Sequence, residues 1–160
     1  MTDLLPLLQE FYKDKLAIML AHQADARLVE TYDLNNAYQY IVNRDEFHLS
    51  WVANALTELG GTVSEAPEPV AAASRGRDAE RGALESDARA AQAFVDRWKP
   101  RVEAMTNARH RGMLRVILGE TLEQKRSFEQ ALGGRTDLLG KRGEQTGPAF
   151  GEVLPTRWIE

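Results

Sequence analysis

With 160 residues, 43% apolar and 28% charged, the chain has the make-up of a globular domain that can bury a core of its own. Its formal net charge of −4 argues against nucleic acid or an anionic membrane as the main partner, because both recruit a basic face. It has no cysteine, which excludes disulfides, thiolate zinc sites, iron–sulfur clusters and thiol catalysis, so any metal would need oxygen and nitrogen ligands.

Four helices are predicted in chain order. The first runs from about Thr2 to Tyr32, with Thr2 and Asp3 as capping residues. Leu4, Leu7, Leu8, Phe11, Ile18 and Met19 form its apolar side, and the row Leu7, Phe11, Asp14, Ile18 carries an acid. The second runs from Asp33 or Leu34 to Leu59 and stops at Gly60-Gly61, since glycine accepts the left-handed conformation past a helix end. The third runs from about Asp78 to Trp98, with Leu84, Ala88, Ala91, Phe94, Val95 and Trp98 inward, and Pro100 ends or kinks it. The fourth starts between Arg101 and Asn107 and ends at Leu132. Its inward stripe is Met105, Gly112, Met113, Val116, Ile117, Phe128 and Ala131. The pentapeptides TELGG and QALGG close the second and fourth helices, a weak echo of a duplicated hairpin.

Short connections make helices one and two, and three and four, antiparallel hairpins. Between the hairpins lies GGTVSEAPEPVAAASRG, residues 60–76. A stretch of that length extends to at most roughly 55–60 Å, enough to run the ~38 Å of a helix of about 25 residues. The expected fold is therefore all-α: a four-helix bundle of two antiparallel hairpins joined by a long crossover (60–77). It occupies residues 1–132, with an irregular tail at 133–160. The tail is rich in glycine and proline, and its closing VLPTRWIE is apolar enough to dock: on its own bundle, on a second copy, or on another protein. No apolar run approaches the ~18 residues of a membrane span. The N-terminus lacks a basic leader, so a cytoplasmic protein is expected.

The second helix poses the chemical question. In IVNRDEFHLSWVANALTELGG (41–61), Ile41, Val42, Leu49, Val52, Leu56 and Leu59 share one stripe, and Asp45 and His48 fall inside it, one turn apart. Asp14, Asp87 and Glu120 lie near the apolar stripes of the other three helices. Buried carboxylates need a partner or lose their charge, and a divalent metal with oxygen and nitrogen ligands is one partner that answers. The plainer readings pair His48 with Asp45 or a neighbouring helix, and Asp45 with His48 or an arginine. They leave Asp14 solvated beside Lys13 and Lys15, pair Asp87 with Arg89 or Arg126, and pair Glu120 with Arg109, His110 or Arg115. His22 and His110 are expected at a bundle edge; Tyr12, Tyr38, Tyr40 and Trp51 are expected as packing residues.

On these residues the chain resembles the rubrerythrin-type group of the ferritin-like superfamily, over roughly residues 4–132. The resemblance places Asp45 where the group has glutamate and His48 at its histidine, with Asp14 the best match for the first helix's acid and Glu10 the second. It implies a carboxylate–histidine site for iron or manganese, with Asp14, Asp45 and His48 holding one ion and Asp87 and Glu120 completing a second. The implied activity is oxidation of Fe(II) by O2 or peroxide. The fourth helix departs from the pattern: VILGETLEQKRSFEQAL puts Thr121 and Gln124 at the glutamate and histidine positions, with Glu120 and Glu123 beside them. That departure supports the alternative, a degenerate, non-catalytic ferritin-like scaffold that acts by self-association or by binding a protein through its tail. A homodimer is expected on either reading.

Overall fold

The computed structural model describes residues 4–63, 77–135 and 138. They form four helices: α1 (Leu4–Ala26), α2 (Tyr32–Glu58), α3 (Arg77–Glu103) and α4 (Ala108–Leu132). The expected caps Thr2 and Asp3, most of the crossover, and nearly all of the tail lie outside the described residues.

α1 packs on α2 and on α3, and α4 packs on α3 and on α2, so α1/α4 and α2/α3 are the diagonal pairs. Cross-helix partners give the directions. Arg101 meets Glu10 while Trp98 meets Asp14, so α1 and α3 are antiparallel. Arg44 meets Glu120 while Arg109 meets Glu58, so α2 and α4 are antiparallel. The backbone N–H of Glu30, in the α1–α2 turn, donates to Glu80 near the start of α3. α2 and α3 therefore run parallel, and the crossover returns along the length of the bundle, as its length allows. This architecture is consistent with the ferritin-like arrangement in general outline.

Three elements differ from the sequence reading. α1 ends at Ala26, not near Tyr32. The chain tightens there through Arg27→Ala24, Leu28→Asp25 and Val29→Ala26 backbone bonds, and Leu28 and Val29 are buried in the turn. No glycine or proline marks this stop; it is made by burying two apolar side chains over the end of the bundle. α3 continues through Pro100 to Glu103. Trp98 and Val102, both fully buried, hold the last turn, while Pro100 and Asp96 lie on its exposed side, where water can serve the freed Asp96 carbonyl. The stripe of α4 is also turned: Leu114 and Leu118 are buried with Ile117 and Phe128, whereas Val116 faces solvent.

The two glycine pairs are not equivalent. After α2, Gly60 takes φ +79°, its N–H bonds Thr57 and the N–H of Gly61 bonds Leu56. After α4 the same pair of bonds is made by Gly134, at φ +95°, and Arg135. The echoed pentapeptides thus end their helices one residue out of step. Gly60→Ala should cost about 1–2 kcal/mol, because an L side chain resists the left-handed region. Chemical denaturation would read it, and an unchanged midpoint would contradict this cap.

The apolar core has two main parts. Leu8, Phe11, Val52, Leu56, Phe94, Trp98, Leu114 and Ile117 form one. Ala26, Val29, Leu34, Tyr38, Ile41, Leu84, Ala88 and Phe128 form the other, toward the α1–α2 turn. Between them the helices bring polar side chains together.

Candidate polar-core site

The second helix answers first. Asp45 is fully buried, as the stripe predicted. Its partner is Lys15 of α1, also 0% exposed, whose Nζ donates to Asp45 Oδ1 at 2.7 Å. Gln124 Nε2 of α4 donates to the same oxygen at 3.0 Å. His22 Nδ1 of α1 lies 2.6 Å from Asp45 Oδ2. Both carboxylate oxygens are therefore occupied by groups from α1 and α4. Burial pushes the Asp45 carboxyl up, but the hydrogen bond and charge of His22 and the charge of Lys15 outweigh it and hold the group below the usual carboxylate range.

Lys15 reached this position through a row one residue away from the one read in the sequence. The buried positions of α1 include Leu8, Phe11, Lys15, Met19 and His22, a regular 3–4 spacing. Asp14 sits beside that row at the α1–α3 seam, accepting from Trp98 Nε1 at 2.8 Å and pairing with Arg97 at 3.0 Å. His22, expected at an edge, is in the core against Tyr38 and Phe128. His110, expected likewise, is buried at the start of α4.

His48 is fully buried but does not bond Asp45. Its Nε2 lies 2.9 Å from Glu120 Oε2 of α4. Glu120, its side chain 29% exposed, also receives a two-pronged contact from Arg44 at 2.8 and 2.9 Å. Since the carboxylate accepts, the Nε2 of His48 carries the proton, leaving a lone pair on the enclosed Nδ1. Burial and then the charge of Lys15 lower the His48 pKa, which favours that neutral ring. Burial tends to raise Glu120, but Arg44 and His48 hold it lower than usual. Arg44 stacks between the rings of Phe47 and Trp51, 5.4 and 5.6 Å from their centroids.

Asp87 belongs to a third group. Tyr38 donates its hydroxyl to Asp87 Oδ2 at 2.5 Å, and Asp25 hydrogen-bonds the same carboxyl. Burial, followed by the nearby Asp25, pushes Asp87 up to about 9, so at neutral pH it is a protonated acid. Tyr38 is driven up by burial and by Asp87.

The five sequence-predicted ligands are thus divided: Asp45 with Lys15, His22 and Gln124; His48 and Glu120 with Arg44; Asp87 with Tyr38 and Asp25; Asp14 at the seam. Among the described residues no group of three or more histidine, cysteine, aspartate or glutamate side chains is placed to hold a metal ion. A divalent ion needs several negative oxygens around one point. Here one carboxylate faces an ammonium, one a guanidinium, and one is held protonated, so the residues as arranged do not fit iron or manganese. Thr121 and Gln124 are both buried: Thr121 satisfies its hydroxyl on the Ile117 carbonyl at 2.8 Å, while Gln124 completes the shell of Asp45. A cleft of about 390 Å³ lies at the α3–α4 turn beside Leu4 and Leu7, away from this chemistry.

The class the fold defines is an all-α four-helix bundle with a polar layer of internally paired charges. Compared with known proteins, the chain matches no family model, no curated protein and no solved structure. No helix among the described residues is long and apolar enough to cross a membrane.

Proposed function

We propose that the protein is a ferritin-like scaffold of the rubrerythrin type that no longer performs metal-dependent oxidation and acts by association, with itself or with a protein partner. The observation that carries this reading is the fully buried Lys15–Asp45 pair. The amino group of a lysine from α1 serves the carboxylate that the resemblance assigns to a metal. Two positive charges sharing one carboxylate in a low-dielectric core repel, so a divalent ion there would have to displace the ammonium. Gln124 in place of an imidazole supports the same reading.

The associating surface is the α2–α4 face. Tyr40 (54% exposed), Phe47 (47%) and Val116 (51%) are apolar side chains turned to solvent along it. Clefts of about 310 and 340 Å³ open at its two ends.

The reading predicts that protein loaded anaerobically with Fe(II) and then given O2 or peroxide oxidises iron no faster than buffer does. Stoichiometric oxidation by the wild type that is lost in Asp45→Ala/His48→Ala would overturn it in favour of an Fe(II) oxidase.

A further inference from the structure

Gln124 is only half satisfied. It is 6% exposed, and its Nε2 donates to Asp45 Oδ1. His22 and Lys15 hold Asp45 ionised, so that carboxylate only accepts and the Gln124 amide cannot be turned round. The other end of the amide, Oε1, is therefore a buried acceptor, and it has no hydrogen-bond partner among the described residues. A buried carbonyl oxygen left alone is costly, and such atoms in folded proteins find a donor.

Gln124 also lines the cleft of about 310 Å³ between α2 and α4, and the chemistry of that cleft says which donor suits it. Glu120 and Glu123 set two carboxylates against one guanidinium, Arg44, which already grips Glu120 through two nitrogens. Glu123 meets Arg126 at 3.5 Å where both side chains are exposed, a contact that solvent largely screens. Tyr40 adds an aromatic ring, and Ala37, Ile41 and Leu138 give the cleft an apolar side. An anionic ligand would face two carboxylates and a committed arginine, so it is disfavoured. A water would answer Gln124 but use neither the excess negative charge nor the apolar side. A primary ammonium on a short alkyl chain uses all three: it carries three N–H donors, a positive charge that also suits an aromatic ring, and an apolar stem.

We propose that the cleft at Gln124 binds a small primary alkylamine. The ammonium donates to Gln124 Oε1, Glu123 and the Tyr40 ring balance its charge, and the alkyl chain lies along Ala37, Ile41 and Leu138. The proposal goes beyond the scaffold reading and stands without it, because it rests on the unpaired acceptor and the charge of one cleft. A cleft of this size is at the lower end of small-molecule sites, which matches a short amine rather than a large cofactor.

The test titrates the full chain at neutral pH with n-butylamine and reads the side-chain carbonyl carbon and amide nitrogen of Gln124 by NMR. A saturable shift of both is the expected result, with affinity at least threefold weaker in Glu123→Gln and in Tyr40→Leu. Both side chains are exposed, so neither variant disturbs the core. Butan-1-ol, equal in chain length but uncharged, should give no saturable shift at the same concentrations. No saturation at tens of millimolar amine would mean that water alone serves Gln124, and would overturn the proposal. Equal binding by the alcohol, or binding that neither variant weakens, would overturn it as well. None of these outcomes bears on iron oxidation or on association, so failure here is distinct from failure of the scaffold reading.

Discussion

Lys15→Met should destabilise the protein by about 3 kcal/mol, the lower end of the cost of removing one partner from a buried ion pair, because His22 still serves the carboxylate. Lys15 and Asp45 are both fully enclosed, the ammonium lies 6.0 Å from the Phe94 ring centroid, and only His22 and Gln124 remain to serve Asp45 once it is gone. Denaturant unfolding at pH 7 would show the loss as a lower midpoint. The double variant Lys15→Met/Asp45→Leu should lose much less than the sum of its two single variants, because the charge is removed with its counter-charge. A change below about 1 kcal/mol in Lys15→Met would show that the ammonium is not what neutralises Asp45.

Asp87→Asn should change the pH dependence of stability more than any other single substitution in the polar layer. Burial, and then Asp25, raise the folded-state pKa of Asp87 from the ordinary carboxylate range to about 9. A raised pKa means that the folded state holds a proton the unfolded chain releases. The group's contribution is therefore full below about pH 4 and is lost progressively as pH rises toward 9. Asparagine mimics the protonated acid: its carbonyl can accept from Tyr38 and its amide can donate to Asp25. Asp87→Asn should match the wild type near pH 4 and exceed it at pH 8 by on the order of 3 kcal/mol. Curves that stay parallel from pH 4 to 8 would contradict a protonated Asp87. Asp45 works in the opposite direction. Its folded-state pKa is depressed, so its contribution is present above the ordinary carboxylate range and is lost as pH falls through the lower folded value.

The legibility of this protein varied with the kind of signal. In α2 the stripe holds for Ile41, Leu49, Val52 and Leu56, which repeat at helical spacing and carry Asp45 and His48 inward with them, while Val42 is half-buried and Leu59, past the helix end, is exposed. The glycine after α2 stopped the helix for the stated conformational reason. In α3 the six residues expected inward are all buried, yet the helix runs past Pro100, since proline's local penalty is outweighed by burying Trp98 before it and Val102 beyond it. The site was harder. Aspartate and histidine in an apolar stripe declare that something must pair with them, but not what.

Lys15 was the missing residue. It belongs to the row with Leu8, Phe11, Met19 and His22, and that row was visible in the sequence. It was passed over because a lysine is seldom fully buried, and because Leu7, Phe11, Asp14 and Ile18 offer a competing row through the same Phe11. Only the packing of α1 against α2 decides between two such rows. His22 could have decided it earlier, since an imidazole two turns beyond Lys15 continues the buried row and supplies Asp45's second partner. The partners of Glu120 and Asp87 likewise depended on which helices are neighbours, and Arg44, Tyr38 and Asp25 were not among the candidates considered.

The central claim is that the polar core balances its own charge through Lys15. Thermal unfolding of metal-stripped protein, repeated anaerobically across a series of Fe(II) and Mn(II) concentrations, tests it most directly. A ligand that binds only the folded state raises stability by RT ln(1 + [L]/Kd), whatever its chemistry. The account predicts a Tm that does not rise with either metal. A Tm that climbs with the logarithm of metal concentration in the wild type, and stays flat in Asp45→Ala/His48→Ala, would contradict it.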